Sequence, residues 1–385
     1  MDHWNLASQL GEIKAQQLYR TRQVLASPQG TNVVIDGEMF NNFSSNDYLG
    51  LANHADVVRA FQKAANEYGV GSGSAHLICG HTKEHHALEE ELADFTGRQR
   101  ALVFSTGYMA NMGVISALLK KGDVVFQDKL NHASLIDGGK LSGAQLRRYS
   151  HGDLQRLQQS LEKTDLNRKL IVSDGVFSMD GDEAQLTRLV SIAEQSTAVL
   201  MIDDAHGIGV LGNSGGGVLE KRGLNQQQVP ILMATLGKGL GTAGAFVAGS
   251  EELIETLIQQ ARTYIFTTAM PAAIMAATRV SLKLCQQESW RRKKLASLVS
   301  QFRQGAAQLG LNLMPSETPI QPIVLGSNQA VVSAHAHLKS KGFLVGAIRH
   351  PAVAKGSERL RITLSANHTK SQIDGLLMAL EEAVC

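Results

Sequence analysis

The sequence is poor in cysteine and has no apolar run long enough to cross a membrane. Only three cysteines occur among 385 residues, Cys79, Cys285 and Cys385. Their odd number and wide separation exclude a disulfide framework and a C-x-x-C metal site, and they favour a reducing compartment. The N-terminal segment is charged throughout and lacks the apolar core of a signal peptide. We therefore expect a cytoplasmic protein.

Neither sign of charge is in excess, and proline is scarce. The formal net charge is +2, and there are only seven prolines. Because no basic stripe or juxtamembrane cluster occurs, nucleic acid and membranes are not expected partners. Hydrophobic residues at 43% and charged residues at 19% are typical of an ordinary globular protein. The length suggests one large or two moderate domains.

Short apolar runs alternate with helical periodicity from about residue 100 onward. The runs are ALVFS, DVVFQ, KLIVSDGV, AVLMIDDA, ILMATL and AFVAG. Strands separated by helices are typical of βαβ units, so we predict an α/β domain with a mainly parallel sheet covered on both faces. Upstream, NVVIDGEMFNNFSS carries a hairpin signal at Asp36-Gly37. A helix is predicted near residues 55–68.

The pattern changes beyond residue 270. Helical periodicity covers 271–287 and 289–309, followed by short strands near 320, 344 and 360 and a last helix from 369. Helices and strands segregated in this way predict a smaller α+β domain, joined by the N-terminal segment. We divide the chain into a helix and hairpin segment (1–50), a large domain (51–270) and a small C-terminal domain (271–385).

Candidate functional residues follow the apolar runs, because ligands of open parallel sheets bind beyond the carboxyl ends of the strands. Lys238 follows ILMATL and stands between two glycines, while Asp203, Asp204 and His206 follow AVLMI. Alternation along the strand sends Asp203 and Asp204 to opposite faces, so we expect one of them to be structural. A solvated loop lysine and a polar strand end are the simpler alternatives.

An amine, a carboxylate and an imidazole at neighbouring strand ends suit pyridoxal phosphate. This cofactor needs a lysine for a Schiff base, an aspartate beside its pyridine nitrogen and donors for its phosphate. Residues 105–108, at the start of a helix, and Thr235 are candidate donors. His132 is placed to stack on the ring, and Ser178 to donate to the phenolic oxygen. Each of these residues also has an ordinary explanation as a helix cap or a loop residue.

Two patterns resemble metal and dinucleotide motifs but are discounted. His81, Glu84 and His85 match the H-x-x-E-H zinc spacing. However, His81 is expected to precede the helix, so the two histidines would not share a face. The glycines in 207–212 match G-x-G-x-x-G, but NSGGG follows instead of an amphipathic helix. We therefore predict neither a metal site nor a dinucleotide site.

Seven ordered segments carry a resemblance to a known family. They are NFSSNDYLGL, GVGSGSAHLICGHTKEHHALEEELA, DKLNHASLIDG, DGVFSMDGD, DDAHGIGVLG, TLGKGLGTAGAF and RLRITLSANH. Through these segments the chain resembles the α-oxoamine synthases over nearly its whole length. The resemblance implies a pyridoxal-phosphate enzyme of the aspartate-aminotransferase-like fold, fold type I, with a seven-stranded sheet and a smaller α+β domain. It also implies a homodimer with active sites at the interface, and decarboxylative condensation of an amino acid with an acyl thioester.

Position by position, the resemblance assigns three catalytic residues. Lys238 would form the Schiff base, Asp203 would pair with the pyridinium nitrogen, and His132 would stack on the ring. The other implied cofactor-binding residues are Ser178 and His206 at the phenolic oxygen, and Gly107, Tyr108 and Thr235, the last through the phosphate.

The resemblance also implies a substrate site. Arg361 would clamp the carboxylate of the amino acid, since its planar fork matches two oxygens. Asn46 and Arg20 would lie at the substrate entrance, with Arg22 as an alternative to Arg20, and His132 would border the substrate. The loop RHPAVAKG departs from the family around Ala352, where a second proline and a threonine are usual. Substrate contacts from Ala352 therefore stay open.

One tripeptide separates the branches of the family. Residues 205–207 read Ala-His-Gly, where glycine-using members tend to carry Ser-His-Ala. This form favours the branch that condenses L-alanine with a pimeloyl thioester in biotin biosynthesis. A glycine-using synthase making 2-amino-3-ketobutyrate or 5-aminolevulinate, an aminotransferase and a non-catalytic partner subunit are the alternatives. The sequence leaves open whether coenzyme A or acyl carrier protein carries the acyl group.

Overall fold

The computed structural model describes residues 2–16, 18–166 and 168–384. The strands are β1 (Asn32–Ile35), β2 (Glu38–Phe43), β3 (Arg100–Phe104), β4 (Val124–Asp128), β5 (Gln145–Tyr149), β6 (Lys169–Asp174), β7 (Val199–Asp203), β8 (Ile231–Thr235), β9 (Ala245–Gly249), β10 (Ile320–Val324), β11 (Phe343–Ile348) and β12 (Arg359–Thr363). The α-helices are α1 (Leu6–Ala15), α2 (Ala55–Tyr68), α3 (Lys83–Thr96), α4 (Gly107–Leu118), α5 (Ala133–Leu141), α6 (Leu154–Glu162), α7 (Leu186–Gln195), α8 (Gly217–Arg222), α9 (Glu251–Gln260), α10 (Arg262–Ile265), α11 (Ala272–Gln287), α12 (Trp290–Gln308), α13 (Asn328–Ser340) and α14 (Lys370–Val384). A 3-10 turn at Asp2–Trp4 and a π turn at His76–Gly80 complete the helical elements of the described chain. Within these ranges, no helix is both long and apolar enough to span a membrane.

The larger sheet has seven strands in the order β3-β9-β8-β7-β6-β4-β5. Only β9 runs antiparallel to its neighbours, so the prediction of a mainly parallel sheet is confirmed. The predicted runs correspond to six of the strands. The sequence analysis missed the edge strand β5, whose residues QLRRY include two exposed positions and no apolar run. In β3, at the other edge, four of five residues are buried, whereas β5 buries only its last residue, which weakens the signal that apolar runs provide.

Helices cover both faces of this sheet, and each strand contributes side chains to both sides. On β7, Leu200 and Ile202 pack into the core on one face, and Met201 packs into a second core on the other. The same alternation carries through the strand end and separates Asp203 from Asp204. Asp204 is fully buried, and its Oδ2 accepts a hydrogen bond from the backbone N–H of Val218 at 2.8 Å. Asp204 is therefore the structural carboxyl of the pair; the alternation predicted that one of the two would be structural but not which one.

The smaller sheet has five strands in the order β1-β2-β11-β12-β10. Its hairpin turns at Asp36 and Gly37, which have φ angles of 52° and 82°, as the Asp-Gly signal predicts. Strand β2 pairs in parallel with β11, so this sheet combines chain from residues 32–43 with chain from 320–363. Helix α13, between β10 and β11, was missed by the sequence analysis. The predicted domain boundaries at residues 50 and 270 stay a prediction.

The parallel strands bring their carboxyl ends to one edge of the larger sheet. There the register pairs Asp174, the last residue of β6, with Asp203, the last residue of β7. The loop after β8 begins directly beyond Thr235 at the same edge. The fold thus assembles polar residues that lie tens of positions apart in the sequence.

Candidate active site

A cavity of about 180 Å³ lies at this edge of the larger sheet. Its lining includes all eight residues predicted to bind the cofactor, namely Gly107, Tyr108, His132, Ser178, Asp203, His206, Thr235 and Lys238. It also includes Ser134, which follows the same strand as His132, and two polar residues that sequence analysis did not single out, Asn111 and Asp174. These groups come from segments that lie far apart in the sequence, and the fold of the chain brings them together.

The amine of Lys238 lies inside this constellation and does not extend into solvent. Its Nζ is 2.8 Å from Nε2 of His206. Burial lowers the pKa of Lys238 to about 8, Arg361 acts in the same direction, and Asp203 and Asp174 oppose the change. A solvated loop lysine does not describe this group. The amine loses its proton far more readily than an ordinary lysine does, which suits a nucleophile or a base.

The glycines around Lys238 are required by chain packing. A Cβ atom on Gly239 would lie 2.4 Å from the carbonyl oxygen of Ile208, a distance too short for any side chain. Gly241 has a φ of +65°, and its Cβ would lie 2.5 Å from the backbone nitrogen of Ala52. The loop that carries Lys238 is thus pressed against neighbouring backbone, which fixes the starting point of the lysine side chain.

A chain of hydrogen bonds leads from Lys238 to Arg361. His206 is buried, and burial followed by the charges of Lys238 and Arg361 lowers its pKa well below the ordinary value. Its Nδ1 is 2.7 Å from the hydroxyl of Tyr48, and that hydroxyl donates to Asn46 Oδ1 at 3.1 Å. Asn46 Oδ1 also accepts from the guanidinium of Arg361 at 3.3 and 3.4 Å. The predicted substrate residues Asn46 and Arg361 are therefore coupled to the amine.

The proton positions along this chain follow from chemistry. A protonated lysine can only donate, so Nε2 of the neutral His206 ring accepts and Nδ1 carries the ring proton. His206 then donates to Tyr48, and Tyr48 donates to Asn46. Burial raises the pKa of Tyr48 to about 12, so its hydroxyl keeps its proton while Lys238 titrates. Sequence analysis did not single out Tyr48, although this residue lies within the matching segment NFSSNDYLGL.

A second network holds the carboxylate of Asp203. The side-chain amide of Asn111 donates to Asp203 Oδ2 at 2.7 Å and to Ser134 Oγ at 2.9 Å. The backbone N–H of Ala205 donates to Asp203 Oδ1 at 3.0 Å. Ser134 Oγ is in turn 2.7 Å from His132 Nδ1. Asp203 and His132 are therefore positioned by one buried network.

Asp174 is a buried carboxyl beside Asp203. Burial, followed by repulsion from Asp203, raises its pKa well above the ordinary value. Its Oδ2 accepts the backbone N–H of His132 at 3.0 Å, which fixes the start of α5. Sequence analysis could have found Asp174 from its position as the last residue of KLIVSD, at the end of a parallel strand.

The start of α4 offers an anion site at the rim of the cavity. Thr106 caps this helix, since its Oγ1 accepts from the N–H of Met109 at 3.1 Å. The first N–H groups of a helix, here those of Gly107 and Tyr108, have no acceptor within the helix and point toward its positive end. Thr235 is engaged by backbone, because its hydroxyl donates to the carbonyl of Gly244 at 3.0 Å. Thr106 is therefore a helix cap, and the N–H groups of Gly107 and Tyr108 at the same helix start are also suited to binding an anion.

The predicted substrate residues divide into two groups. Asn46 and Arg361 lie together, and the Nε of Arg361 donates to the carbonyl of Ser178 at 2.6 Å. Arg20 lies on an exposed stretch, and Ala352 lies in an exposed turn that begins at Arg349. Among the described residues, none of these four lines the cavity itself. Arg361 contacts the lining residue Ser178, and Asn46 is connected to the lining residue His206 through Tyr48.

Two residues of the discounted zinc motif, Glu84 and His85, make other interactions in the structure. His85 is buried, with Nδ1 2.8 Å from Thr82 Oγ1 and Nε2 2.8 Å from the carbonyl of Met270. Glu84 is paired with Arg279 at 2.7 Å. His85 and Glu84 are therefore not available as ligands together with His81.

The functional groups of the cavity fit pyridoxal phosphate. The amine of Lys238 suits the aldehyde, and the carboxylate of Asp203 is held ready for a pyridinium nitrogen by two donors. The N–H groups at the start of α4 suit the phosphate. Asn111 Oδ1 is buried without a hydrogen-bond partner in the described structure, so the cavity keeps an acceptor for a bound group.

The sequence matches a known family over most of its length. The sequence model of the family "Aminotransferase class I and II" matches residues 38–380. An 8-amino-7-oxononanoate synthase from Cellvibrio japonicus is 59% identical over 379 residues, which cover 98% of this chain and 95% of that protein.

Solved structures agree with this match. A serine palmitoyltransferase variant from S. paucimobilis with a bound PLP–myriocin aldimine has a TM-score of 0.93 and 29% identity, covering 98% of this chain and 96% of that one. The crystal structure of an 8-amino-7-oxononanoate synthase from Francisella tularensis has a TM-score of 0.78 and 33% identity, covering 89% and 97%. The predicted fold, a pyridoxal-phosphate-dependent transferase with a mainly parallel seven-stranded sheet, is confirmed. The chain belongs to the pyridoxal-phosphate-dependent 8-amino-7-oxononanoate synthases, within the class I and II aminotransferase family.

Proposed function

We propose that the chain condenses L-alanine with a pimeloyl thioester, releasing carbon dioxide and the free thiol and forming 8-amino-7-oxononanoate for biotin biosynthesis. The substrates are those that the name of the family implies. The observation that carries the proposal is the hydrogen-bonded chain from Lys238 through His206, Tyr48 and Asn46 to Arg361. This chain connects the amine of Lys238, which can move a proton, to the guanidinium of Arg361, which can bind a carboxylate. An amino acid substrate requires both groups.

The cofactor and the protein have separate tasks in this reaction. When bound, pyridoxal phosphate supplies an aldehyde for the substrate amine and a ring that withdraws electrons from the substrate Cα. Asp203, held by Asn111, would place its carboxylate beside the ring nitrogen and so favour the protonated ring. His132 lies on the rim, with its ring 6.1 Å from that of Tyr108, and would pack against the cofactor face.

Lys238 would act as the base toward the substrate. With a pKa near 8, a substantial fraction of its amine is neutral at neutral to mildly alkaline pH and can accept the Cα proton. His206 is neutral, so it can accept a hydrogen bond from the protonated amine afterwards. Arg361 would hold the alanine carboxylate through two N–H groups, which fixes the orientation of the Cα substituents.

We also propose that the active enzyme is a homodimer with the active sites at its interface. Apolar side chains are exposed beside the glycine-rich segment, with Val70 88%, Ile78 78% and Phe266 70% accessible. The two stretches that carry them are joined by the bridge between Ala75 and Thr268. Exposed apolar groups this close together favour burial by a second copy. Analytical ultracentrifugation of the purified protein at several concentrations tests this point, and a monomer at assay concentration would refute it.

Product analysis tests the proposed reaction. The purified enzyme is incubated with L-alanine or glycine and with pimeloyl-coenzyme A or pimeloyl-acyl carrier protein, and the products are identified by mass spectrometry. We expect 8-amino-7-oxononanoate from alanine and no product from Lys238→Ala. A preference for glycine would favour the other branch of the family. Turnover of Lys238→Ala at a near wild-type rate would contradict the role of the lysine. A cytoplasmic location stays a prediction.

A further inference from the structure

A cluster of metal-binding side chains lies outside the cavity, at the start of α3. One ligand atom from each of His81, His86 and Glu89 lies within 4.8 Å of the others. His81 Nε2 and Glu89 Oε2 are 3.9 Å apart, and the rings of His81 and His86 stand nearly perpendicular at 6.0 Å. The set consists of two imidazoles and one carboxylate, which are ligand types that transition metals accept.

The local fold explains why His81 lies beside His86 and Glu89 and not beside the other residues of the H-x-x-E-H motif. Helix α3 begins at Lys83, so His86 and Glu89 are three residues apart and share one face. His85 turns into the protein, where it contacts Thr82 and the Met270 carbonyl. His81 precedes the helix and folds back over the face that His86 and Glu89 occupy.

Neighbouring groups orient two of the three ligands. His81 Nδ1 is 3.0 Å from His76 Nδ1, and when His81 donates in this contact its Nε2 lone pair is free. Glu89 Oε1 accepts the backbone N–H of Val103 at 3.0 Å, which leaves Oε2 on the side of His81. Bonds of this kind to the second atom of a ligand are typical of metal sites, where they fix the ring orientation and the tautomer.

We propose that His81, His86 and Glu89 bind one divalent transition-metal ion, with zinc as the fitting ion and a water molecule as the fourth ligand. Zinc accepts two imidazole nitrogens and one carboxylate oxygen at about 2.0–2.2 Å. Tetrahedral ligands at that length lie roughly 3.3–3.5 Å apart, so the side chains need to close by about 1 Å. His86 is exposed, so its side chain can make most of this movement while Glu89 keeps its bond to the Val103 N–H.

The bound ion would link helix α3 to the segment that precedes it in the chain. That segment runs from Gly69 to Gly80 and includes two glycines with positive φ, Gly69 and Gly73, so its backbone is intrinsically permissive. Linking His81 to α3 would restrain the end of this segment. The ion would take no part in the reaction at Lys238, so its binding does not depend on the proposed function.

Zinc titration of the tag-free holoenzyme tests the site. Isothermal titration in the presence of a competing chelator is carried out on the wild type, on His86→Gln and on Glu90→Gln. Glu90 is the matched control, an exposed acid on the same helix whose Oε1 lies 3.5 Å from His86 Nε2. We expect one zinc ion per chain in the wild type, at least tenfold weaker binding in His86→Gln and affinity within about threefold of wild type in Glu90→Gln.

Several results would overturn the proposal. They are no stoichiometric zinc binding by the wild type, unchanged affinity in His86→Gln, and equal losses in the two variants. X-ray absorption at the zinc edge provides a second measurement, for which we expect nitrogen and oxygen ligands with two imidazoles. Sulfur in the coordination shell would assign the ion to Cys79 and contradict the site. Because His86 is exposed, its substitution is not expected to alter the fold, and circular dichroism checks this.

Discussion

Replacing Tyr48 by phenylalanine removes a single oxygen atom from the centre of the site. The ring of Tyr48 is fully buried, and phenylalanine keeps its packing. The lost hydroxyl is 2.7 Å from His206 Nδ1 and donates to Asn46 Oδ1 at 3.1 Å. Asn46 keeps the guanidinium of Arg361 as a donor. The main cost therefore falls on His206, whose buried Nδ1–H loses its acceptor.

The magnitude follows from the cost of an unpaired buried donor, about 1–3 kcal/mol. We expect the free energy of unfolding to fall by this amount. With His206 no longer held, its Nε2 is not fixed as an acceptor for Lys238, so transition-state stabilisation should fall by a similar amount. A loss of about 1–3 kcal/mol corresponds to a decrease of roughly 5- to 150-fold in kcat/KM.

Steady-state kinetics with alanine and denaturant unfolding of the same preparations measure both effects. Tyr149→Phe is the matched control, because Tyr149 is a buried tyrosine on β5 outside this hydrogen-bonded chain. If Tyr48→Phe stays within twofold of wild type in kcat/KM and keeps its unfolding free energy, the assignment of the His206 tautomer is wrong. A loss in Tyr149→Phe equal to that in Tyr48→Phe would show that hydroxyl removal acts through general destabilisation.

Three further perturbations follow from the site. Asn111→Ala removes the amide donor to Asp203, a charge-assisted bond worth about 1.5–3 kcal/mol, so pyridoxal phosphate titration should show at least about tenfold weaker binding; Asn111→Asp should be worse, since it sets two carboxylates side by side. Covalent capture of the cofactor by the cofactor-free protein should speed up as pH rises through about 8, because Lys238 then loses its proton. The pKa of Lys238 in the folded protein lies below its unfolded value of about 10.5, so the free energy of unfolding of the cofactor-free protein should also rise as pH rises from about 8 to 10. Stopped-flow measurements at a series of pH values check the capture rate, and unfolding measurements at the same pH values check the stability. Arg361→Lys should raise KM for alanine roughly tenfold or more while cofactor affinity is kept, because a lysine cannot hold both the Ser178 carbonyl and a carboxylate; unchanged KM would contradict the carboxylate role.

Some elements had strong sequence signals and others had weak ones. The parallel strands are continuous apolar runs because both of their faces are buried, so six of the seven strands could be predicted. Edge strand β5 carries two arginines and buries only part of its surface. Helix α13 has the sequence NQAVVSAHAHLKS, whose small and polar residues give a weak amphipathic pattern. Partial burial leaves both elements without a clear period.

The sequence by itself determined which strand ends carry chemistry. Parallel strands that alternate with helices bring their carboxyl ends to one edge, so Asp203, His206 and Lys238 had to lie near one another. The order of the motifs, through their resemblance to a known family, was also sufficient for the family and its cofactor. These features depend on local periodicity and on residue identity, which the chain displays directly.

Only the tertiary structure decided which polar groups meet. Asn111 on helix α4 reaches Asp203 at the end of strand β7, and Tyr48 reaches His206 from the N-terminal part of the chain. The choice of His86 over His85 beside His81 depends on which face of α3 packs against the Met270 carbonyl. Hydrogen bonds and ligand sets require side chains to meet within about 3–4 Å, and that distance is set by the packing of remote segments, which a linear pattern does not contain.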